Sequence, residues 1–319
     1  MKGYTQAVRR MRSSAAKGTG GRGWRYFQTN YQLYLMLVLP ICYFLVFKYL
    51  PMLGTTIAFK DYNMFQGMFG GEWVGLAHFK EAFSSSTFWL ALKNTLILNM
   101  GDLLLSFPIP IILAVALNEL YNEKIKKTTQ VITYLPHFLS WVIIGGIVFQ
   151  IFSNTGLINN VLASIGLDRV DFLSDPHNWR IVYWVAGIWQ SAGYSLIIYL
   201  AALMGVDPSL GEAAYIDGAN KIQRIWHVTL PMIKPTIVVM LVMNLGSIMS
   251  IGFERPYLLG NVMVSDVSTV ISTYVYQTGL QAARFDFAAA VGLFQAVVGV
   301  VMILTANAIT KRMGEEGLM

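Results

Sequence analysis

Cys42 is the only cysteine in a chain of 319 residues. It cannot form a disulfide within the chain, and inside an apolar run it reads as a small hydrophobe. Histidine is scarce too: His78, His137, His177 and His227 stand apart, none four residues from another and none near the cysteine, so no metal-binding spacing is present. Charge is the third shortage, at 13% of residues against 55% hydrophobic. A soluble core of ordinary composition cannot bury that much apolar sequence, whereas a bilayer can solvate it. The net charge of +6 does not indicate nucleic acid, because the basic residues flank long apolar runs and do not line one polar face. Nor is there a G-x-x-x-x-G-K-[ST] loop to cradle nucleotide phosphates.

What the chain does have is a series of charge-poor stretches, and a helix needs about 20 residues to cross the hydrocarbon core. Six spans are expected, at 32–49, 88–118, 130–152, 181–205, 235–257 and 287–309. The expected fold class is therefore an all-α membrane protein of six transmembrane helices, each satisfying its backbone groups internally. Pro108 and Pro110 should kink the second span. The domain organisation is a basic cytoplasmic tail over 1–30, a membrane domain over 31–310 and a short cytoplasmic tail over 311–319. The tail, with Gly18, Gly20, Gly21 and Gly23, is expected to be a disordered leader. The first span lacks a small-residue cleavage pattern and is expected to be retained, not removed as a signal peptide.

Fifteen Lys and Arg fall on the amino-terminal side of a six-span arrangement and at most eight on the other, which favours both termini in the cytoplasm. Residues 267–283 are also free of charge. Their Thr, Ser, Gln and Tyr content, with Val267, Val270, Ile271, Tyr274 and Val275 at helical spacing, favours an external amphipathic helix at the interface over a seventh span.

The loop over 207–231 between spans four and five has its own local grammar. Pro208, with Ser209 three residues before Glu212, is expected to start a short helix through a capping box. Gly218 permits a sharp turn, and Ile222, Ile225 and Trp226 give a second short helix an apolar face. Pro231 and Pro235 should mark the return to the membrane. The product is a helix-turn-helix knob on the cytoplasmic side, suited to a groove on a partner. An ordinary amphipathic connector would read the same way, and the residues alone leave both readings open.

The spacing goes further. Glu212-Ala213-Ala214, three residues, Gly218, nine residues, then Val228-Thr229-Leu230-Pro231 resembles the EAA loop of ABC importer permeases, with Val228 where the family usually has Ile. The resemblance covers about 32–311 and is nearest to the sugar-importing branch, the maltose-type and complex-saccharide permeases. It implies the type I importer architecture with a cytoplasmic coupling helix that sits in a cleft of a nucleotide-binding subunit. Glu212, Ala213, Ala214, Asp217, Gly218, Leu230 and Pro231 would form that element. It also implies a second permease subunit, two ABC ATPase subunits that bind ATP and Mg, an extracytoplasmic solute-binding protein, and a saccharide substrate. The chain itself would hold no cofactor or metal, contact membrane lipid and no nucleic acid, and have no catalytic residues.

Polar groups buried at mid-membrane are expected to line the pathway, since they are costly elsewhere. Trp189, Gln190, Ser191 and Tyr194 on span four are candidates, with Gln190 and Tyr194 four apart on one face. Resemblance to maltose-type permeases adds Gly187, and on span five Ile248, Ile251, Gly252 and Arg255. Glu254 and Arg255, beside Tyr257, form the most informative ionisable pair. It reads either as a snorkelling or inter-subunit ion pair at the membrane surface or as a site where Arg255 meets a sugar hydroxyl or carboxylate. Asp102 is the other intramembrane charge, read as a structural group at a subunit interface or as an ion site of a secondary transporter. Trp184 and Trp189 are either sugar-stacking rings or interfacial anchors and packing residues. A membrane-embedded glycan enzyme is a third class, but Asp168, Asp171 and Asp175 read better as a solvated acidic loop than as its machinery.

Overall fold

The computed structural model describes residues 28–68 and 70–312, and nearly all of the expected amino-terminal leader and most of the carboxyl tail lie outside them. The chain divides into two units, one up to Thr56 and one from Ile57 onward. In the first, the helix Tyr31–Phe44 runs through a π-turn, Leu45–Tyr49, into Leu50–Met52, and Cys42 is a free thiol.

Six helical stretches among the described residues are long and apolar enough to cross a membrane: Tyr31–Phe59, Ser86–Asn118, Trp141–Ser164, Pro176–Met204, Lys221–Gly246 and Phe285–Arg312. They agree in number with the expectation, but three differ most in extent, and the first of these runs on to Phe59, past the expected end at 49. The third begins at Trp141 and not near 130, because the helix Glu123–Tyr134 and a 3-10 turn, Leu135–Phe138, end at extended Leu139, and Ser140 caps a new helix through the Ile143 amide. The fifth begins at Lys221 and stops at Gly246, so the expected second short helix of the loop is the start of a span.

Three of these helices run on through a proline by way of a wider turn. Pro51, Pro108 and Pro231 each follow a π-turn, at Leu45–Tyr49, Asp102–Ser106 and Ile225–Thr229. In each case the residue before the proline donates its N–H to the carbonyl five residues back. Proline has no N–H, and its ring crowds the carbonyl four residues earlier; a wider turn relieves that clash without ending the helix.

Between Gly246 and Phe285 the backbone is irregular, and side chains from the spans replace the missing helical hydrogen bonds. Asn99 donates to the carbonyl of Ile248 at 2.7 Å, and Gln295 donates to that of Met249. Asn94 donates to the carbonyls of Asp266 and Thr269, and the Thr95 hydroxyl accepts from the Ile271 amide at 2.9 Å. Exposed backbone at membrane depth survives only where protein or water satisfies it. The expectation of one external amphipathic helix over 267–283 is corrected here. The segment breaks at Thr269 and Val270, after Ser265–Ser268, and resumes as Ile271–Tyr276, which continues through a π-turn, Gln277–Gln281; Val267, Val270, Ile271 and Tyr274 are buried. Their helical spacing reports packing against the second and last spans, not against lipid headgroups.

Three apolar clusters hold the second unit. One gathers Leu98, Ile144, Trp179, Val182, Tyr183 and Ile251; a second gathers Ala114, Leu117, Leu196, Tyr199, Leu203 and Ile233. The third joins Phe88, Ile271, Tyr274 and Phe287. Along spans two and four, the first two clusters leave a gap between them, at 99–113 and 187–195. Asn99, Asp102 and Ser106 of span two and Gln190, Ser191 and Ser195 of span four fall in that gap.

Candidate functional site

Asp102 stands at the midpoint of the second span, in its π-turn. Both its carboxylate oxygens accept from a single nitrogen, Nη2 of Arg255, at 2.9 and 2.7 Å. The Ser106 hydroxyl donates to Oδ1 at 3.3 Å. Arg255 opens the short helix Glu254–Leu259 after the break in the chain, and its guanidinium lies 3.6 Å from the centre of the Tyr183 ring and 5.7 Å from that of Trp141. Its Nε is buried without a hydrogen-bond partner. The expected snorkelling or inter-subunit ion pair at Arg255 is therefore corrected: its partner is Asp102 of span two in the same chain, which local sequence cannot reveal. Asp102 is bonded within its own chain.

Two cavities meet at this pair. One, of about 270 Å³, lies toward the 207–220 loop and is lined by Ser106, Ser191, Ser195, Tyr199, Asn244 and Ser247 among others. The other, of about 420 Å³, lies on the opposite side and is lined by Trp141, Tyr183, Gly252, Phe253 and Glu254 among others. Asn99, Asp102, Ser250 and Arg255 line both. A charged, hydrogen-bonding layer thus separates two chambers at mid-span.

Of the substrate positions read from sequence, the fold gathers Gly187, Ser191, Ile248, Ile251, Gly252, Glu254 and Arg255. A Cβ at Gly187 would stand 2.1 Å from Nη1 of Arg255, so glycine there is what lets the guanidinium approach span four. Trp189 is exposed, and neither it nor Gln190 lines either chamber. Tyr194 turns away, stacked on His137 at 4.1 Å, and Tyr257 packs with Phe253 and Tyr276. Trp184 is structural: its indole donates to the carbonyl of Leu98 in the space left by Gly101. Of the acidic loop, Asp175 caps span four by accepting from the amides of His177 and Asn178. Sequence reasoning missed Asn99, Ser106, Ser195, Tyr199, Asn244 and Ser247. Their signal was polar residues three or four apart within apolar spans, Asn99-Asp102-Ser106 and Ser191-Ser195-Tyr199.

On the loop side, Pro208–Ile216 is a helix, but its cap is Asp207, whose carboxylate accepts from the Ser209 amide at 2.9 Å. That bond holds the Asp207 carboxyl below its usual range. The expected Ser209–Glu212 capping box is thus replaced by a cap two residues earlier. Gly218 adopts φ +84° with open space around it, and the Ala219 amide closes the turn on the carbonyl of Ala214 at 2.9 Å. The capping box that does form is Asn220 with Gln223, and it starts the long helix into the membrane. Glu212, Ala213, Asp217 and Gly218 are exposed, as are Tyr215, Ile216, Ile222 and Trp226, while Ile225 and Leu230 pack inward. Lys221 reaches Glu119, at the end of span two, at 3.5 Å.

Comparison with known proteins places this architecture. Residues 83–315 match the family described as binding-protein-dependent transport system inner membrane component. The polygalacturonan/rhamnogalacturonan transport system permease protein YteP of Bacillus subtilis is 46% identical over 90% of this chain and 89% of its own. The arabinooligosaccharides transport system permease protein AraP of Bacillus subtilis is 29% identical over 95% of this chain and 96% of its own. A chain in the crystal structure of a bacterial ABC transporter involved in the import of the acidic polysaccharide alginate is 45% identical, with a TM-score of 0.84 over 91% of this chain and 99% of that one. The same transporter in complex with an alginate pentasaccharide-bound periplasmic protein gives a TM-score of 0.85. The protein is a member of the binding-protein-dependent transport system inner membrane component family.

Proposed function

We propose that this chain is the permease subunit of an ATP-driven ABC importer, passing an acidic oligosaccharide through the chambers on either side of Arg255. Arg255 carries the reading: a guanidinium at mid-span, 2.7 Å from its counter-ion and open to both chambers, is the group a cargo carboxylate would seek. The relatives named for polygalacturonan and for alginate support the same cargo chemistry.

The chain does no covalent chemistry. An extracytoplasmic binding protein delivers the saccharide, a second permease subunit completes the pore, and ATP and Mg are held by a pair of separate ATPase subunits. Glu212, Ala213, Ala214, Asp217, Gly218, Leu230 and Pro231 couple the two halves of the machine: the exposed helix Pro208–Ile216 enters the ATPase, and the turn at Gly218 passes its movement to the helix Lys221–Gly246. Both termini lie in the cytoplasm. Alternating access then follows from each partner binding one of two states more tightly. The ion-coupled alternative rested on Asp102, and its engagement by Arg255 removes the free carboxylate that such a site needs.

The test is ATPase stimulation of the reconstituted complex by binding protein loaded with neutral or uronate oligosaccharides. Arg255→Ala should lose most of the response to uronates and keep most of the response to neutral cargo. Equal loss for both would remove the carboxylate reading.

A further inference from the structure

Resting on that reading, we infer that Asp102 is a built-in stand-in for the cargo carboxylate, which holds Arg255 between the two chambers until an incoming uronate takes its place. Three observations meet here. Asp102 presents to Arg255 the same group that the cargo would, at the one layer both chambers share. The contact is incomplete: a single guanidinium nitrogen serves both oxygens, and Nε has no partner. A carboxylate free to choose its angle gains a second parallel hydrogen bond, the stronger two-pronged geometry that Asp102 on its helix does not reach. The displaced Asp102 is not stranded, because the Ser106 hydroxyl stays beside Oδ1 and the chamber of about 270 Å³ has room for water.

The exchange keeps charge balanced. With the pathway empty, Asp102 neutralises Arg255 and spares the bilayer an isolated cation. With cargo present, one carboxylate replaces another on the same guanidinium, and the released aspartate is solvated from the loop-side chamber. A neutral sugar cannot drive this exchange. Asp102 therefore sets specificity by competition, raising the threshold against uncharged cargo and against an empty cycle.

The experiment uses the complete complex in lipid nanodiscs with binding protein saturated by a uronate oligosaccharide or by its methyl ester. Asp102→Asn should lower the half-saturating concentration of acid-loaded binding protein by about tenfold, the scale of one charge-assisted hydrogen bond, and raise ATPase activity without cargo. Its preference for acid over ester should fall, because the ester, which cannot take the place of Asp102 on Arg255, gains more from its removal. The exchanged pair Asp102→Arg with Arg255→Asp keeps an ion pair in place but should lose that preference. An unchanged preference in Asp102→Asn, or a wild-type preference in the exchanged pair, overturns the proposal. So does failure of Asp102→Asn to assemble, since a pair that must part in every cycle cannot be what holds the fold together. If Arg255→Ala abolishes the preference while Asp102→Asn leaves it untouched, recognition by Arg255 stands and competition by Asp102 falls.

Discussion

At position 187 the space beside Arg255 admits a hydrogen atom and nothing larger. The guanidinium cannot simply step back from a methyl group there, because Asp102 holds it on one side and the Tyr183 ring, 3.6 Å away, on another. Gly187→Ala should therefore leave the amount of assembled complex unchanged and reduce uronate-stimulated ATPase about 10- to 100-fold, the cost of a binding group displaced by about 1 Å. Gly193 makes a contrasting case. A Cβ there would stand 2.1 Å from the carbonyl oxygen of Thr133, which is backbone and cannot rotate aside. Gly193→Ala should destabilise by about 1–3 kcal/mol, as overpacking does, and lower the thermal midpoint of the purified complex without changing cargo preference. Single residues such as Asp102 and Arg255 were visible in the sequence because charge inside an apolar run is conspicuous. That they belong to each other was not, since 153 positions and an unwound stretch separate them.

Among elements, the turn at Gly218 is the most exposed to test. Nothing surrounds its Cα, so a substitution there is opposed by backbone conformation alone. Gly218→Asn, which tolerates the left-handed region, should keep uptake. Gly218→Val should cost about 1–2 kcal/mol locally and uncouple ATPase from uptake while membrane insertion stays normal. Equal uptake by the two variants would count heavily against coupling through this turn. The loop was legible in sequence because its glycine and its capping residues act over three or four positions. The extent of span five was not. Pro231 and Pro235 suggested entry into the membrane, whereas the π-turn before Pro231 carries the helix straight through. The stop at Gly246 depends on amides from two other spans. Outside the membrane, Arg284 ties the start of the last span to Glu81 on the helix Ala77–Ser84, and its hydrogen bond to the carboxylate is the main reason that Glu81 titrates below its ordinary value of 4.5. The tie stabilises the fold above that value and is lost as pH falls through the lower, folded one. Both side chains are about half exposed, so the effect is small, about 0–1 kcal/mol. The protection of amides over 77–84, measured relative to their intrinsic exchange rate at each pH, should fall on acidification below 4.5, and Glu81→Gln should lower it already at neutral pH.

Over the whole molecule, function follows from how apolar and polar layers alternate along the spans. The cluster around Trp179 and the cluster around Tyr199 grip the bundle at two levels, and the polar layer between them is where Asp102, Arg255 and the serines lie. Composition announced a membrane protein and the spacing of Glu212 to Pro231 its family, but neither could locate that layer, which exists only once three spans and a broken segment converge. The amide clamps on the broken segment also set an order of birth. The carbonyl of Ile248 is served by Asn99, made early, while that of Met249 waits for Gln295 on the last span. Until the ribosome has delivered that span, a bare peptide carbonyl sits at membrane depth, a mark that quality-control proteases can read. Nascent chains halted before residue 285 should be inserted yet rapidly degraded, and those halted after residue 312 should persist; equal lifetimes would mean that the clamp is not what completes the protein.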